Sequence, residues 1–395
     1  MQLCLASLHP RVLSGQIDSL TGLGRALVRR GHDVTLVGPF DANSLLSRDP
    51  TELDSGPTHL LSAAGAMLRT VPRIVRASAG ADLLHLALPT PAFGVLAEVV
   101  RKSTPVPVVV TFEGQLADAA LIRNGLRRPS TLKGYLPLCA VNSGLLGRIG
   151  PRACRQYTVS SEFQRGQLVS VGFPLDRIRV LPNVVWDGKL TRCEPDVARA
   201  RLGLPADRPI VGYVGHLSDV KGVDVLADAF CSMLKWEPRA VLALAWSGQG
   251  NPGPIRRRLA GVESQVVWLK KVHVGTFLCA VDVLALPYRT TAGQGAFPSL
   301  VLEALHVGCP LVTTDLPLLR EVTSLGPVAL VCPPEQPDEL AKQLECLLTS
   351  QARRNRMSAA QRQVARSYFA PERLVSDYVA LYEAVLGVDS MSVVA

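Results

Sequence analysis

Short aliphatic runs alternating with amphipathic stretches, twice over, constrain this chain more than any other feature. The first unit reads Gln2–Ala6 as a strand, then a loop through Ser14-Gly15-Gln16, then Ile17, Leu20, Leu23, Ala26 and Leu27 at helical spacing. Gly31 stops that helix and Asp33-Val34-Thr35-Leu36-Val37 follows as a strand. A strand, a helix and a strand in such short order make a βαβ unit, and such units build parallel sheets. Further strands are expected at Leu83–Leu88, Val106–Thr111, Tyr157–Ser160 and Ile178–Leu181. From Val184 to Pro209 the strands cease and charges and prolines gather, which reads as a linker. A second series then runs through Pro209–Val214, Ala240–Ala245, Gln265–Leu269, Val283–Leu286, Pro310–Thr314 and Val328–Val331. Three helical stretches, 336–348, 351–367 and 371–386, follow with no strand between them. The last has no strand of its own to cover, so it is expected on the first domain.

The fold class is therefore α/β, with two Rossmann-like doubly wound parallel-sheet domains facing across a cleft. The expected boundaries are 1–186 for the first and 207–370 for the second, with 371–395 packing back on the first. At 395 residues the chain exceeds what one hydrophobic core usually serves. No apolar run of about 18 residues suggests a membrane span, and the start of the chain lacks a basic segment followed by a long apolar one. The expected location is cytoplasmic. The nine cysteines are scattered with no zinc-like spacing, and they read as small buried hydrophobes in a reducing compartment.

Open α/β sheets bind ligands beyond the carboxyl ends of their strands, so motifs placed there carry most weight. One runs from Gly212 through Gly215, His216, Lys221 and Gly222 to Asp224, from a strand through a lysine-bearing loop into a helix. Such a loop gathers backbone N–H groups, a helix N-terminus and a point cation, as a diphosphate requires. The alternative is a glycine turn with a solvated lysine. The second motif is Gln294-Gly295-Ala296-Phe297-Pro298-Ser299-Leu300-Val301-Leu302-Glu303, ending in a short apolar helix closed by Gly308 and Pro310. Pro298 suits the first turn of that helix. Glu303 is anomalous on a buried helix, and a ligand diol would satisfy it, as would a backbone cap or an arginine. The N–H groups of Gly295 to Ser299 would then face phosphate. No D-x-D or H-x-x-x-H cluster offers metal ligands, and neither a dinucleotide fingerprint nor a P-loop is present.

On these residues the chain resembles glycosyltransferase family 4, the retaining GT-B group of glycosyl transferases. Four stretches carry the likeness: Arg30-Gly31-His32-Asp33-Val34-Thr35-Leu36-Val37, Leu181-Pro182-Asn183, Gly215 to Gly222, and Phe297 to Ala304. Val283-Leu284-Ala285-Leu286-Pro287 and Ser247-Gly248-Gln249-Gly250 fit the same template. The resemblance implies a metal-independent hexosyl transfer, with a nucleotide-diphosphate sugar as donor substrate and no cofactor. It implies that Lys221 neutralises the diphosphate, that Glu303 holds the ribose hydroxyls, and that Gly15, Gly215, His216 and 294–300 join the donor site. The chain departs from the family where the first motif glutamate falls on Gly295, where His216 replaces an arginine, and where Glu113 replaces a histidine after the strand ending at Thr111. Glu113 is accordingly a third catalytic candidate.

The net charge of +9 is concentrated between residues 119 and 155, which hold seven cations and no acid. Interleaved leucines and isoleucines make a peripheral contact with anionic lipid on the inner membrane face one reading, and an ordinary solvated face the other. Few aromatics accompany the cations, so nucleic acid is not an expected partner. The acceptor is left open among lipid, glycan and small molecule, with cell-envelope polysaccharide synthesis as the setting the resemblance suggests. Two other functions stay open, a sugar-nucleotide epimerase and a non-catalytic nucleotide-sugar-binding protein.

Overall fold

A computed structural model of the protein describes residues 1–8, 14–38, 60–88, 94–114, 154–186, 188, 190–291 and 296–387. The chain divides into two compact units. The first comprises Met1–Trp186, Ala292–Phe297 and Pro371–Ala395, and the second Asp187–Thr291 and Pro298–Ala370.

The first unit is built from β1 (Gln2–Ser7), α1 (Ser14–Arg29), β2 (Asp33–Val37), α2 (Leu60–Ser78), β3 (Leu83–Leu88), α3 (Gly94–Ser103), β4 (Val108–Phe112), β5 (Gln156–Val159), α4 (Glu162–Ser170) and β6 (Ile178–Val180). Its six strands lie in the order β2-β1-β3-β4-β5-β6, all pairs parallel. Leu83 to Leu88 are buried throughout, as a central strand covered on both faces must be. One face packs on Ile74, Ala97, Val100 and Leu168.

The other face is covered by α1 and by the helix Pro371–Leu386, whose Leu374, Val375, Tyr378, Leu381, Tyr382 and Val385 share a core with Leu20, Leu23 and Leu27. Inside this cover lies a polar chain. His85 Nδ1 and Tyr382 Oη share a hydrogen bond of 2.7 Å, and His85 Nε2 and Thr111 Oγ1 one of 2.6 Å. Thr111 in turn bonds Thr158, and both threonines act on the Tyr378 hydroxyl. Burial pushes the His85 imidazole down to about 3, so the network is uncharged.

The second unit opens with α5 (Pro195–Leu202), inside the strandless segment expected to contain the linker, where Pro195 starts the helix and Gly203 ends it in the left-handed conformation. There follow β7 (Ile210–Leu217), a 3-10 turn (Asp219–Lys221), α6 (Val223–Met233), β8 (Val241–Gly250), α7 (Gly253–Arg258), β9 (Val266–Lys270), α8 (Val274–Ala280) and β10 (Val283–Leu286). Then come α9 (Ser299–Val307), β11 (Leu311–Thr314), α10 (Pro317–Thr323), β12 (Leu330–Cys332), α11 (Pro337–Leu348) and α12 (Gln351–Tyr368); the helix Pro371–Leu386 is α13. The parallel order β12-β11-β10-β7-β8-β9 reverses direction between β10 and β7. That reversal is the topological switch point, where a doubly wound sheet opens to a ligand.

All twelve expected strands are present, with their ends shifted by a few residues. The largest shifts have a common cause. β7 continues to Leu217 and β8 through Ser247-Gly248-Gln249-Gly250, because Leu217 pairs with Gly250 after a bulge at Gly215. The stretch that reads as a glycine loop is thus the end of a strand. At the other sheet, α1 begins at Ser14, so Gly15 lies in the helix rather than in a loop before it.

Candidate active site

Within the second unit, the switch point gathers the chemistry-bearing residues. Lys221 follows β7 in the 3-10 turn, Tyr288 follows β10, and Glu303 sits on α9. The Lys221 ammonium lies 4.6 Å from the Tyr288 ring centroid, a cation–π contact. Burial lowers the Lys221 pKa to about 8. Glu303 is only 6% exposed, and after burial its charge is the next influence raising the Tyr288 hydroxyl above its usual value. One buried ring therefore senses both groups.

Backbone geometry fixes the turn. Gly222 has φ 66°, and a Cβ there would stand 1.9 Å from the Pro287 carbonyl oxygen, so the turn closes against β10 only with glycine. Arg289, with a side chain 9% exposed, then fastens it. Its guanidinium donates to the Asp219 carbonyl at 2.7 Å, to Asp224 Oδ1 at 2.7 Å and Oδ2 at 2.5 Å, and to Glu335 Oε1 at 2.9 Å. Its own amide donates to the Val220 carbonyl at 3.0 Å. From below, Thr314 Oγ1 donates to the Tyr288 carbonyl at 2.7 Å.

His216 stands on the end of β7. Its Nδ1 shares a 2.6 Å hydrogen bond with Ser247 Oγ, and its carbonyl accepts from the Tyr213 hydroxyl at 2.6 Å. Burial, and secondarily the Lys221 charge, push the imidazole below its usual pKa, so it is neutral at pH 7. Where an arginine would bring a second fixed charge, His216 brings a hydrogen-bonding ring. Gly215 beside it has φ 142°.

The entry to α9 differs from expectation in two respects. Pro298 occupies the cap position, not the first turn, and the helix begins at exposed Ser299. The Phe297 amide does not face outward for phosphate. It donates to Asn183 Oδ1 at 3.0 Å, while Asn183 Nδ2 donates to the Phe297 carbonyl at 2.9 Å, a two-bond clasp within the first unit. With Pro298 lacking an N–H, the first-turn amides of Ser299 and Leu300 are the ones geometry leaves without an intrahelical acceptor. Phe297 is buried and Ala296 half-buried; Gln294 and Gly295 lie outside the described residues.

In the first unit, Glu113 follows β4, and its amide donates to the Leu88 carbonyl at 3.0 Å. Gln164, fully buried on α4, donates to the Phe112 carbonyl at 2.7 Å and the Gly114 carbonyl at 2.8 Å, gripping the backbone on both sides of Glu113. Burial raises the Glu113 carboxyl to about 8, and its charge is felt by Tyr378 of the polar chain. Glu113 is thus a protonated acid at neutral pH. Gly15 lies in the first turn of α1, beyond the carboxyl end of β1.

Asn183, Gln164 and Arg289 were not singled out as site residues from the sequence. Gln164 had a signal, since Ser161 and Gln164 have capping-box spacing, and Ser161 Oγ does accept the Gln164 amide at 3.1 Å. Of the basic segment 119–155 only Cys154 and Arg155 are described, and Arg155 is exposed. Among the described residues no three His, Cys, Asp or Glu side chains group as metal ligands, and no helix is long and apolar enough to cross a membrane.

Two Rossmann-like parallel sheets, the second carrying a basic turn and a buried acid at its switch point, define a GT-B glycosyltransferase fold. Two family models match, Glycosyltransferase Family 4 over residues 14–186 and Glycosyl transferases group 1 over residues 208–350, and the chain belongs to glycosyltransferase family 4. It is 29% identical over 212 residues to the D-inositol 3-phosphate glycosyltransferase of Xylanimonas cellulosilytica, a match covering 50% of this chain and 49% of that protein. The chain thus spans about half the length of the first curated relatives it matches. It is 24% identical to the phosphatidyl-myo-inositol mannosyltransferase of Mycobacterium tuberculosis over 92% of both chains. Among solved structures, Anabaena HepE in complex with UDP-glucose superposes with a TM-score of 0.72 at 16% identity, over 97% of this chain and 100% of the other.

Proposed function

We propose that this chain transfers a hexosyl group from a nucleoside-diphosphate sugar to a hydroxyl acceptor, with retention of anomeric configuration. The observation that carries the reading is the convergence of Lys221 and Glu303 on buried Tyr288 at the switch point of the second sheet. In this reading Lys221 pairs with the donor diphosphate, the Ser299 and Leu300 amides add the positive end of the α9 dipole, and Glu303 accepts hydrogen bonds from the ribose diol. As the glycosidic bond breaks, negative charge grows on the departing diphosphate, and these groups stabilise it there. That charge is met by protein groups, so transfer should persist in EDTA. Glu113, protonated and held by Gln164, would donate a hydrogen bond on the acceptor side.

Relatives named for inositol-based acceptors make phosphorylated inositols and phosphatidylinositol the first acceptors to try. A lipid-linked acceptor would set the chain against the inner face of the membrane, with residues 119–155 as its contact. A second reading, a nucleotide-sugar binder without transfer, is favoured by the neutral His216 at the diphosphate seat.

Calorimetric titration of nucleoside diphosphates and their sugars in EDTA tests the donor site. Saturable binding is expected, and Glu303→Ala should weaken it by about tenfold or more, the worth of a buried charged hydrogen bond. Undiminished binding in Glu303→Ala would remove the assignment. Product formed with an acceptor separates the enzyme from the binder.

A further inference from the structure

Outside the site, the second unit brings two cysteines together that lie far apart in the sequence. The Cys193 amide donates to Cys279 Sγ at 3.5 Å, and the two thiols are in side-chain contact. Both are part-exposed free cysteines, whereas Cys4, Cys154, Cys309 and Cys332 are buried. The approach is built in. Gly275 in the first turn of α8 has no Cβ, and one placed there would stand 2.8 Å from the Thr191 carbonyl oxygen and 3.0 Å from its nitrogen. The segment ending at Cys193 therefore lies directly on α8. Further along, Arg199 donates to the Ala280 carbonyl at 2.9 Å and to Asp282 Oδ2 at 2.9 Å, holding α5 to the other end of the same helix.

Cys193 has a particular place in the chain. The passage from the first unit to the second begins at Asp187, and Thr191, Arg192 and Glu194 are exposed. The segment meets α8 through the weak N–H···S bond at Cys193. We propose that Cys193 and Cys279 form a reversible disulfide that fastens this passage onto α8. In the step, a thiolate attacks a low-molecular-weight disulfide of the glutathione type and releases one thiol. The second cysteine then attacks the mixed disulfide and releases the other. Two protein thiols become one S–S bond, and the two electrons and two protons leave on the two small thiols. Burial holds the Cys279 thiol above its usual pKa, and the Arg192 cation offsets this only in part. In the oxidised form a covalent bond would join the passage to α8 at Cys193.

The test uses the full chain in buffers of oxidised and reduced glutathione, read by non-reducing peptide mass mapping and by the rate of tryptic cleavage after Arg192. Neither readout depends on glycosyl transfer. Oxidation is expected to join the Cys193 and Cys279 peptides, to be reversed by dithiothreitol, and to slow cleavage after Arg192 several-fold. Cys279→Ser should abolish both effects, and Cys231→Ser should abolish neither. Separate glutathione adducts on the two cysteines, free thiols throughout, or an unchanged cleavage rate in the bridged chain would each overturn the proposal.

Discussion

Burial holds the Lys221 ammonium to about 8 against a usual 10.5. Between those values the unfolded chain binds a proton that the folded chain has released, so this residue makes stability rise with pH across that window. Affinity for a diphosphate runs the other way, since only the charged amine pairs with it. The dissociation constant of a nucleoside diphosphate should weaken by about tenfold from pH 7 to pH 9. Lys221→Arg, whose guanidinium stays charged, should flatten that profile; a wild-type constant already flat by calorimetry would contradict the role. Glu113 has the opposite sign. Its carboxyl ionises near 4.5 when unfolded and near 8 when folded, so its contribution to stability falls as pH rises between them. Glu113→Gln should remove that slope and raise the urea midpoint above that of the wild type at pH 8, and parallel slopes in the two proteins would show that the burial is not felt.

The turn after β7 is an element whose order depends on one side chain. Arg289 meets Asp219, Asp224 and Glu335 at once, and Asp224 is drawn below the usual carboxylate range mainly by that guanidinium, against its own burial. Arg289→Ala would leave Asp224 part-buried without its main partner, at a cost of about 3 kcal/mol. Arg289→Lys should recover little, because an ammonium cannot reproduce the forked contacts. Both should weaken donor binding through the displaced Lys221, checked by denaturant midpoints beside donor titrations; intact binding with lowered stability would make Arg289 a purely structural clamp. The strands on either side of this turn were legible in the sequence because both faces of a central parallel strand are buried, leaving runs such as Val283-Leu284-Ala285-Leu286. The clamp was not, since Arg289 and Asp224 are ordinary surface-type residues until the fold brings them together. Lys221 and Glu303 could be picked out from motif and spacing. Asn183 could be seen only as a boundary mark, because its hydrogen-bond partner lies 114 positions away.

At the scale of the whole molecule, α13 belongs to the first unit although the second lies between them in sequence. Six of its buried side chains cover β1, β3 and α1, an apolar contribution of about 10 kcal/mol, comparable to the whole stability of a domain. Ending the chain after Ala370 should therefore abolish the first unit's cooperative melting transition and leave a second-unit transition still raised by donor. Two intact transitions in a calorimetric scan would show that α13 is dispensable.

This arrangement also sets an order of events during synthesis. The first sheet leaves the ribosome before any of the second, yet His85 and its apolar neighbours are without Tyr382 and the rest of α13 until the second unit has been translated. The unit made first is thus completed last, and for that interval the nascent chain presents an open apolar face of the kind that chaperones hold.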